Sequence, residues 1–313
     1  IELATIGCSA STILPFAELV TSNIGRGPNP LLQNHPLMAI HPPMLYIGYV
    51  GMTMPFVAAT SRLYSKKEDS NTWIEVAEKT TYVPWLFLTI GITLGAAWSY
   101  EVLGWGGYWA WDPVENVSFI PWLLATAFLH SAKIQKTQNT LLNWNYILVG
   151  LMFLSTLFGT FITRSGVLIS VHAFSNGNIG TYLLFGMLLF GLIFIGIGSK
   201  NIEYFSKSKK IDNWFGKSGF FVYNNIFLFS SALVIFIGTI FPLIYETLYS
   251  RQITVGRAYY DILVGPLLLI LLGLMILSEN ISNKNLNSKK WLKDNVVLIN
   301  IALMVSIFTL FLL

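Results

Sequence analysis

The chain has 313 residues, 54% of them hydrophobic and 11% charged, with a net charge of +4 and a mean hydropathy of +0.61. A soluble globular domain carries roughly 25% charged residues, so this composition excludes an ordinary soluble enzyme and marks a polytopic membrane protein. The lone cysteine, Cys8, excludes an internal disulfide and a CxxC pair, and reads as a small apolar packing residue.

In chain order, residues 3–20 form a weak span interrupted by Pro15 and Glu18. They lack the basic region and cleavage pattern of a signal peptide. With Ile at position 1, the expectation is a chain that begins inside a larger protein. Stronger apolar stretches follow at 41–62, 83–100, 119–136, 145–163, 180–199, 220–242, 260–278 and 296–313. The predicted fold class is therefore all-α, a helical membrane protein of about 8–9 transmembrane helices. The intervening loops at 62–82, 131–144, 200–219 and 279–295 hold all 19 Lys and Arg residues except Arg26, Arg164, Arg251 and Arg257. Basic loops stay on the inner side. The loops at 21–40, 101–118, 164–179 and 243–259 are thus outer. Basic loops of this kind hold topology and touch anionic lipid, and give no ground for nucleic-acid binding.

His35, in LLQNHPLM, reads as a solvated loop residue. His41, in LMAIHPPMLY, opens the first strong span on the outer side. Pro42 and Pro43 suit a first helical turn and hold the preceding residue extended, which fixes His41 at the membrane surface. The outer loop WGGYWAWDPVEN, Trp105 to Asn116, is too aromatic to be solvated comfortably and too glycine-rich for a helix interior. The rings of Trp105, Tyr108, Trp109 and Trp111 suit a flat apolar ligand. Asp112 precedes Pro113 and could form a turn or cap the next helix. Glu115 could complement that helix's dipole.

His130 lies eleven residues past Phe119, about 16 Å along the helix at 1.5 Å per residue. That depth is inside the bilayer toward the inner side, where ionisable groups are costly and usually functional. Arg164 opens the next outer loop, as an interface anchor or as a partner for a carboxylate such as a propionate. His172, in RSGVLISVHAF, leans into the interface between Val171 and Phe174. Asn224 and Asn225, in an apolar span, read as glue between helices.

A single histidine here would read as a hydrogen-bonded interfacial side chain. The conjunction carries more: two outer histidines bracket the aromatic loop and a third lies below it. Paired imidazoles are suitable axial ligands for haem iron, whereas zinc asks for three or four ligands at close spacing. An ion or solute transporter fits less well, because the spans lack charged pairs and paired broken helices.

These strings resemble the CcmF family, the haem-handling proteins of cytochrome c maturation within the tryptophan-rich WWD superfamily. The resemblance rests on NPLLQ (29–33), HPPMLYIGYVG (41–51), WGGYWAWDPVENVSFIPW (105–122), His130 followed by Ser131, and LFGTFITRSGVLISVHAF (157–174), with a weaker GTIFPL at 238–243. It covers about residues 20–175 in detail. The WWD loop alone would also admit the CcmC and CcsA relatives, which implies the alternative of a haem delivery protein without lyase activity. Tyr108 stands where the family often has Trp, a swap that keeps an amphipathic ring.

The resemblance implies an activity: haem is taken from the carrier CcmE on the outer side and joined through its vinyl groups to the thiols of a CxxCH motif in apocytochrome c. His41 and His172 match the two outer histidines that ligate the WWD-bound haem, with Trp105, Tyr108, Trp109, Trp111, Asp112 and Arg164 around it. His130 matches the first of two membrane histidines of a b-type haem. No His follows His172 in this sequence, so the expectation is an incomplete b-haem site, in a fragment or in one piece of a split protein. Further implied partners are other maturation subunits of the CcmH type, membrane lipid and quinol as an electron source. The implied location is a bacterial inner membrane, or a mitochondrial inner membrane for a split gene. The resemblance divides the chain into a haem-handling membrane region, 1–175, with its WWD loop at 101–118, and further transmembrane helices of the same domain, 176–313.

Overall fold

A computed structural model of the chain describes residues 34–65, 72–102, 107–165 and 179–279 apart from 212 and 215, with isolated positions at 293, 296, 300 and 304. Its helices are α1 (Pro36–Gly51), α2 (Thr53–Ser65), α3 (Thr72–Val102), α4 (Pro113–Gln138), α5 (Leu142–Ser165), α6 (Ile179–Lys200), the short α7 (Ile202–Ser206), α8 (Lys217–Tyr249) and α9 (Arg257–Glu279). Among the described residues, seven spans are long and apolar enough to cross a membrane, with α1 and α2 together forming the first of these. The chain is an all-helical, polytopic integral membrane protein. The expected span at 3–20 lies outside the described residues, as does most of that at 296–313.

The α4 helix is the centre, with 72% of its apolar stretch buried against 11% for α6 and α9. It packs on α3, α5 and α8; α1 lies on α3, α6 on α5, and α9 on α8. Lipid tails are as apolar as a leucine, so close packing and interhelical hydrogen bonds hold such a bundle together. Phe56 of α2 stacks on Phe153 of α5 at 4.3 Å, and Tyr146 of α5 on Phe194 of α6 at 4.1 Å. Asn225 accepts from Trp144 Nε1 at 3.0 Å, the interhelical glue expected of it. The buried Asn224 Oδ1 has no partner. A glue residue absent from the sequence reading is the fully buried Asn116, which donates to Thr239 Oγ1 at 3.1 Å and ties α4 to α8.

Three local expectations change. The first described helix starts at Pro36, with His35 as an extended N-cap whose Nδ1 accepts from the Leu37 N–H at 3.2 Å. The rules that a proline opens a helix and extends the residue before it apply to His35–Pro36, not to His41–Pro42. His41 is therefore helical, in the second turn, and Pro42 and Pro43 lie inside α1. Nor is His35 simply solvated, since its Nε2 meets Glu101 Oε2 at 2.7 Å and joins the start of α1 to the end of α3. Finally, α3 begins well before residue 83, because its first turn is anchored inside: Trp73 is fully buried and donates to Tyr204 Oη at 2.9 Å. The break between α1 and α2 at Met52 follows from Pro55, which cannot supply the N–H that the Gly51 carbonyl would take.

Candidate functional site

The α1–α3 contact is made by small residues. A Cβ on Gly91 would lie 2.7 Å from Leu45 Cδ2, and one on Gly95 would lie 2.5 Å from His41 Cε1. Only glycine lets α1 approach α3 closely enough at these two positions to seat the His41 ring against the helix. There His41 Nδ1 lies 2.7 Å from the Gly91 carbonyl oxygen. A carbonyl only accepts, so Nδ1 carries the proton and the neutral ring's lone pair is on Nε2. Metal-ligating imidazoles are held in this way by a backbone carbonyl on the second nitrogen.

A cavity of about 270 Å³ opens at this point, lined among others by His41, Tyr46, Trp98, Ser118, Thr163 and Arg164, from α1, α3, α4 and α5. Arg164 Nη2 donates to Tyr46 Oη at 2.7 Å, which draws the guanidinium to the same wall as His41. The Trp98 ring lies 5.8 Å from that of His41. Trp98 is 8% exposed, and its Nε1–H is buried with no hydrogen-bond partner. An unmatched buried donor costs roughly 1–3 kcal/mol. The cavity is thus lined by the His41 imidazole, the Arg164 guanidinium and the unpartnered Trp98 indole N–H, on otherwise apolar and hydroxylated walls. This donor set fits a ligand that carries both a metal centre and carboxylates.

The aromatic loop is built differently. Asp112 is the N-cap of α4: its Oδ2 accepts from Val114 N–H at 3.1 Å, and Glu115 Oε2 accepts from Asp112 N–H at 3.2 Å and from Ala110 N–H at 2.9 Å. This is a reciprocal capping box. Trp111 sits at φ 58°, in the left-handed region, an uncommon and strained state for a bulky residue. Its surroundings hold it there. The indole stacks on Tyr260 of α9 at 5.0 Å, and its Nε1 donates to Asp261 Oδ1 at 2.9 Å. Its carbonyl accepts from Asn116 Nδ2 at 3.1 Å, and Arg257 braces Asp261 at 2.9 Å. Trp109 packs edge-on against Trp111 at 5.9 Å and Phe119 at 5.7 Å. From Phe119 the rings continue to Trp122 and then to Trp85, with Trp122 and Trp85 donating to Thr89 and Thr126. Tyr108 is 59% exposed and stacks on Tyr100 at 4.3 Å.

The structure thus brings His41 and Arg164 into one cavity. Trp109, Trp111 and Tyr108 do not line that cavity; they connect to it through α4, whose Val114 and Ser118 do. His130 stands apart, seventeen residues into α4, roughly 25 Å along the helix. Its ring lies 5.4 Å from that of Phe221, and its Nδ1 is buried without a partner. Trp105 and His172 lie outside the described residues. The sequence reading missed Trp98 and Tyr46. The signal for the cleft was GITLG, Gly91 to Gly95, a small-residue pair four apart in an apolar helix.

Comparison with known proteins gives a consistent picture. The family model described as cytochrome c assembly protein matches residues 3–169. The cytochrome c-type biogenesis protein ccl1 of Rhodobacter capsulatus is 41% identical over 272 residues, covering 84% of this chain and 41% of that protein. The cytochrome c-type biogenesis protein CcmF of Escherichia coli is 38% identical over 243 residues, covering 76% and 36% respectively. A solved structure titled Cytochrome c Heme Lyase CcmF superposes with a TM-score of 0.65 at 35% identity, covering 82% of this chain and 38% of that one. The chain spans roughly two-fifths of the length of the curated relatives it matches.

Proposed function

The chain belongs to the cytochrome c assembly protein family, and we propose that it is the haem-binding part of a cytochrome c haem lyase, acting at the outer face. The observation that carries this reading is the cavity in which His41, oriented by Gly91, shares a wall with Arg164 and the unpartnered Trp98 N–H. His41 would hold the haem iron together with His172, from the outer loop at 164–179. Arg164 and Trp98 donate to the propionates. Tyr108, Trp109, Trp111 and Asp112 form and brace the aromatic shelf that connects to the cavity through α4, and Trp105 is assigned to haem binding with them.

Bound haem supplies two vinyl groups, each of which takes up a cysteine S–H across its double bond to give a thioether with no net change of oxidation state. The chain's own residues do the positioning. They hold the macrocycle at one orientation, cover it with aromatic surface and leave an edge to the incoming CxxCH segment of apocytochrome c. Fixing two partners in a reactive geometry is worth several powers of ten in rate. On this reading haem arrives on a carrier of the CcmE kind, and subunits of the CcmH type present the apocytochrome, in a bacterial or mitochondrial inner membrane. The buried, unpartnered Nδ1 of His130 supports its assignment as one ligand of a second, b-type haem, completed by a group from outside this chain and reduced from the quinol pool.

Attachment in membranes that carry the other maturation subunits tests the proposal, with haem-loaded carrier and a CxxCH peptide as substrates. The expected product is haem that stays with the peptide through denaturation, with the pyridine haemochrome band of saturated vinyl groups. Haem that transfers to the peptide but is lost on denaturation would make the protein a delivery module instead.

A further inference from the structure

At the opposite, basic end of the bundle the structure builds a second polar cavity of about 370 Å³, within the roughly 300–1,000 Å³ of small-molecule sites. Ile74 and Glu75 from the first turn of α3 line it, with Gln135 to Asn139 at the end of α4 and Lys209 after α7. Its walls are fixed by a tight turn. Asn139 is the left-handed C-cap of α4 at φ 54°. The Lys209 N–H donates to the Asn139 carbonyl at 2.9 Å, and Thr140 pairs with Lys209 in a parallel bridge.

The floor is a row of hydrogen-bonded side chains. Ser131 donates to Asn145 Oδ1, and Asn145 Nδ2 donates to Gln135 Oε1 at 2.8 Å. With its Oε1 on Asn145, Gln135 has its NH2 at the end of the row. Gln135 is 3% exposed and its Nε2 has no partner. The same cavity also holds a buried acceptor without a partner, Asn139 Oδ1. Lys136 is engaged by Glu78 at 2.6 Å and stays on the rim. One cavity thus holds an unmatched donor and an unmatched acceptor, with Lys209 and Glu75 both in its lining and the carbonyl end of α4, where the helix dipole favours cations, at its wall. A simple anion would meet Glu75; a simple cation would meet Lys209.

We infer that this cavity binds an aminoalkyl phosphate, the chemistry of an ethanolamine phospholipid head group. By charge and hydrogen-bonding sense, Gln135 Nε2 and Lys209 match the phosphate, and Glu75 and Asn139 Oδ1 match the ammonium. Polar pockets between transmembrane helices at the inner surface are where lipid head groups bind. A choline head has no N–H to donate to Asn139, and a glycerol head has no cation for Glu75.

Native mass spectrometry of the protein released from nanodiscs with equal parts of ethanolamine, choline and glycerol phospholipids tests this. The ethanolamine lipid should be retained about tenfold over the other two. Glu75→Gln and Lys209→Met, both at the exposed rim, should each lower its retention about fivefold with an unchanged unfolding temperature. Gln135→Leu, which removes the buried donor, should abolish the preference. Equal retention of the three lipids, or an unaltered preference in the rim variants, overturns the proposal. Adding O-phosphoethanolamine separates the two sources of this chemistry. Displacement of the lipid assigns recognition to the head alone, retention assigns it to the whole lipid, and binding of neither overturns the site.

Discussion

In the aromatic loop, the indole N–H of Trp111 is on Asp261, its carbonyl is on Asn116, and Asp112 and Glu115 close the cap of α4. In the cleft between α1 and α3, the indole N–H of Trp98 has no acceptor, and His41 is held by one nitrogen on a carbonyl with its lone pair on the other. The two regions share an aromatic composition but differ in what they leave for a ligand. The loop is the more conspicuous in sequence, yet Asp112, Trp111 and Glu115 spend their polar groups on folding. The cleft is inconspicuous, and its Trp98 N–H is left for something else. Ligand-facing chemistry here is better found by asking which buried donors lack partners than by asking where the rarest residues cluster.

That contrast can be broken by substitution. Trp111→Ala should have the largest effect on stability, lowering it by about 3 kcal/mol, because a strained backbone, a stack on Tyr260 and a bond to Asp261 depend on one ring; denaturant unfolding in detergent reads it. Gly95→Ala should act the other way. Its new Cβ falls on the His41 ring, so haem retention by Soret titration should drop about tenfold, while helix propensity favours Ala by up to about 1 kcal/mol and offsets part of the overpacking. Trp98→Phe should be the smallest: unfolding unchanged, and haem retention lowered about fivefold through loss of one N–H donor. If Trp98→Phe destabilised the protein as much as Trp111→Ala, the division between shelf and cleft would be wrong.

Much of this was legible beforehand, for identifiable reasons. Long apolar stretches set the helices through bilayer thickness alone, and seven of the expected spans stand among the described residues; the one-sided lysines set the expected orientation. Asp112 before Pro113 was readable as a cap because capping is local. HPP at 41–43 misled for the same reason. It carries the local signature of a helix start, but Pro36 and the His35 cap come first, and packing against Gly91 and Gly95 keeps the prolines helical. Trp98 was invisible because its meaning depends on a missing acceptor, which no spacing rule encodes. Asn116 looked like part of the aromatic motif, but its role is a bond to Thr239, 123 residues away.

The most direct test is the optical spectrum of the haem-loaded protein with His41→Gly, taken with and without added imidazole. In the variant the low-spin spectrum of a bis-imidazole haem should be lost, and it should return when imidazole fills the space left beside Gly91. A variant that keeps the wild-type spectrum without imidazole would contradict the placement of His41 on the iron.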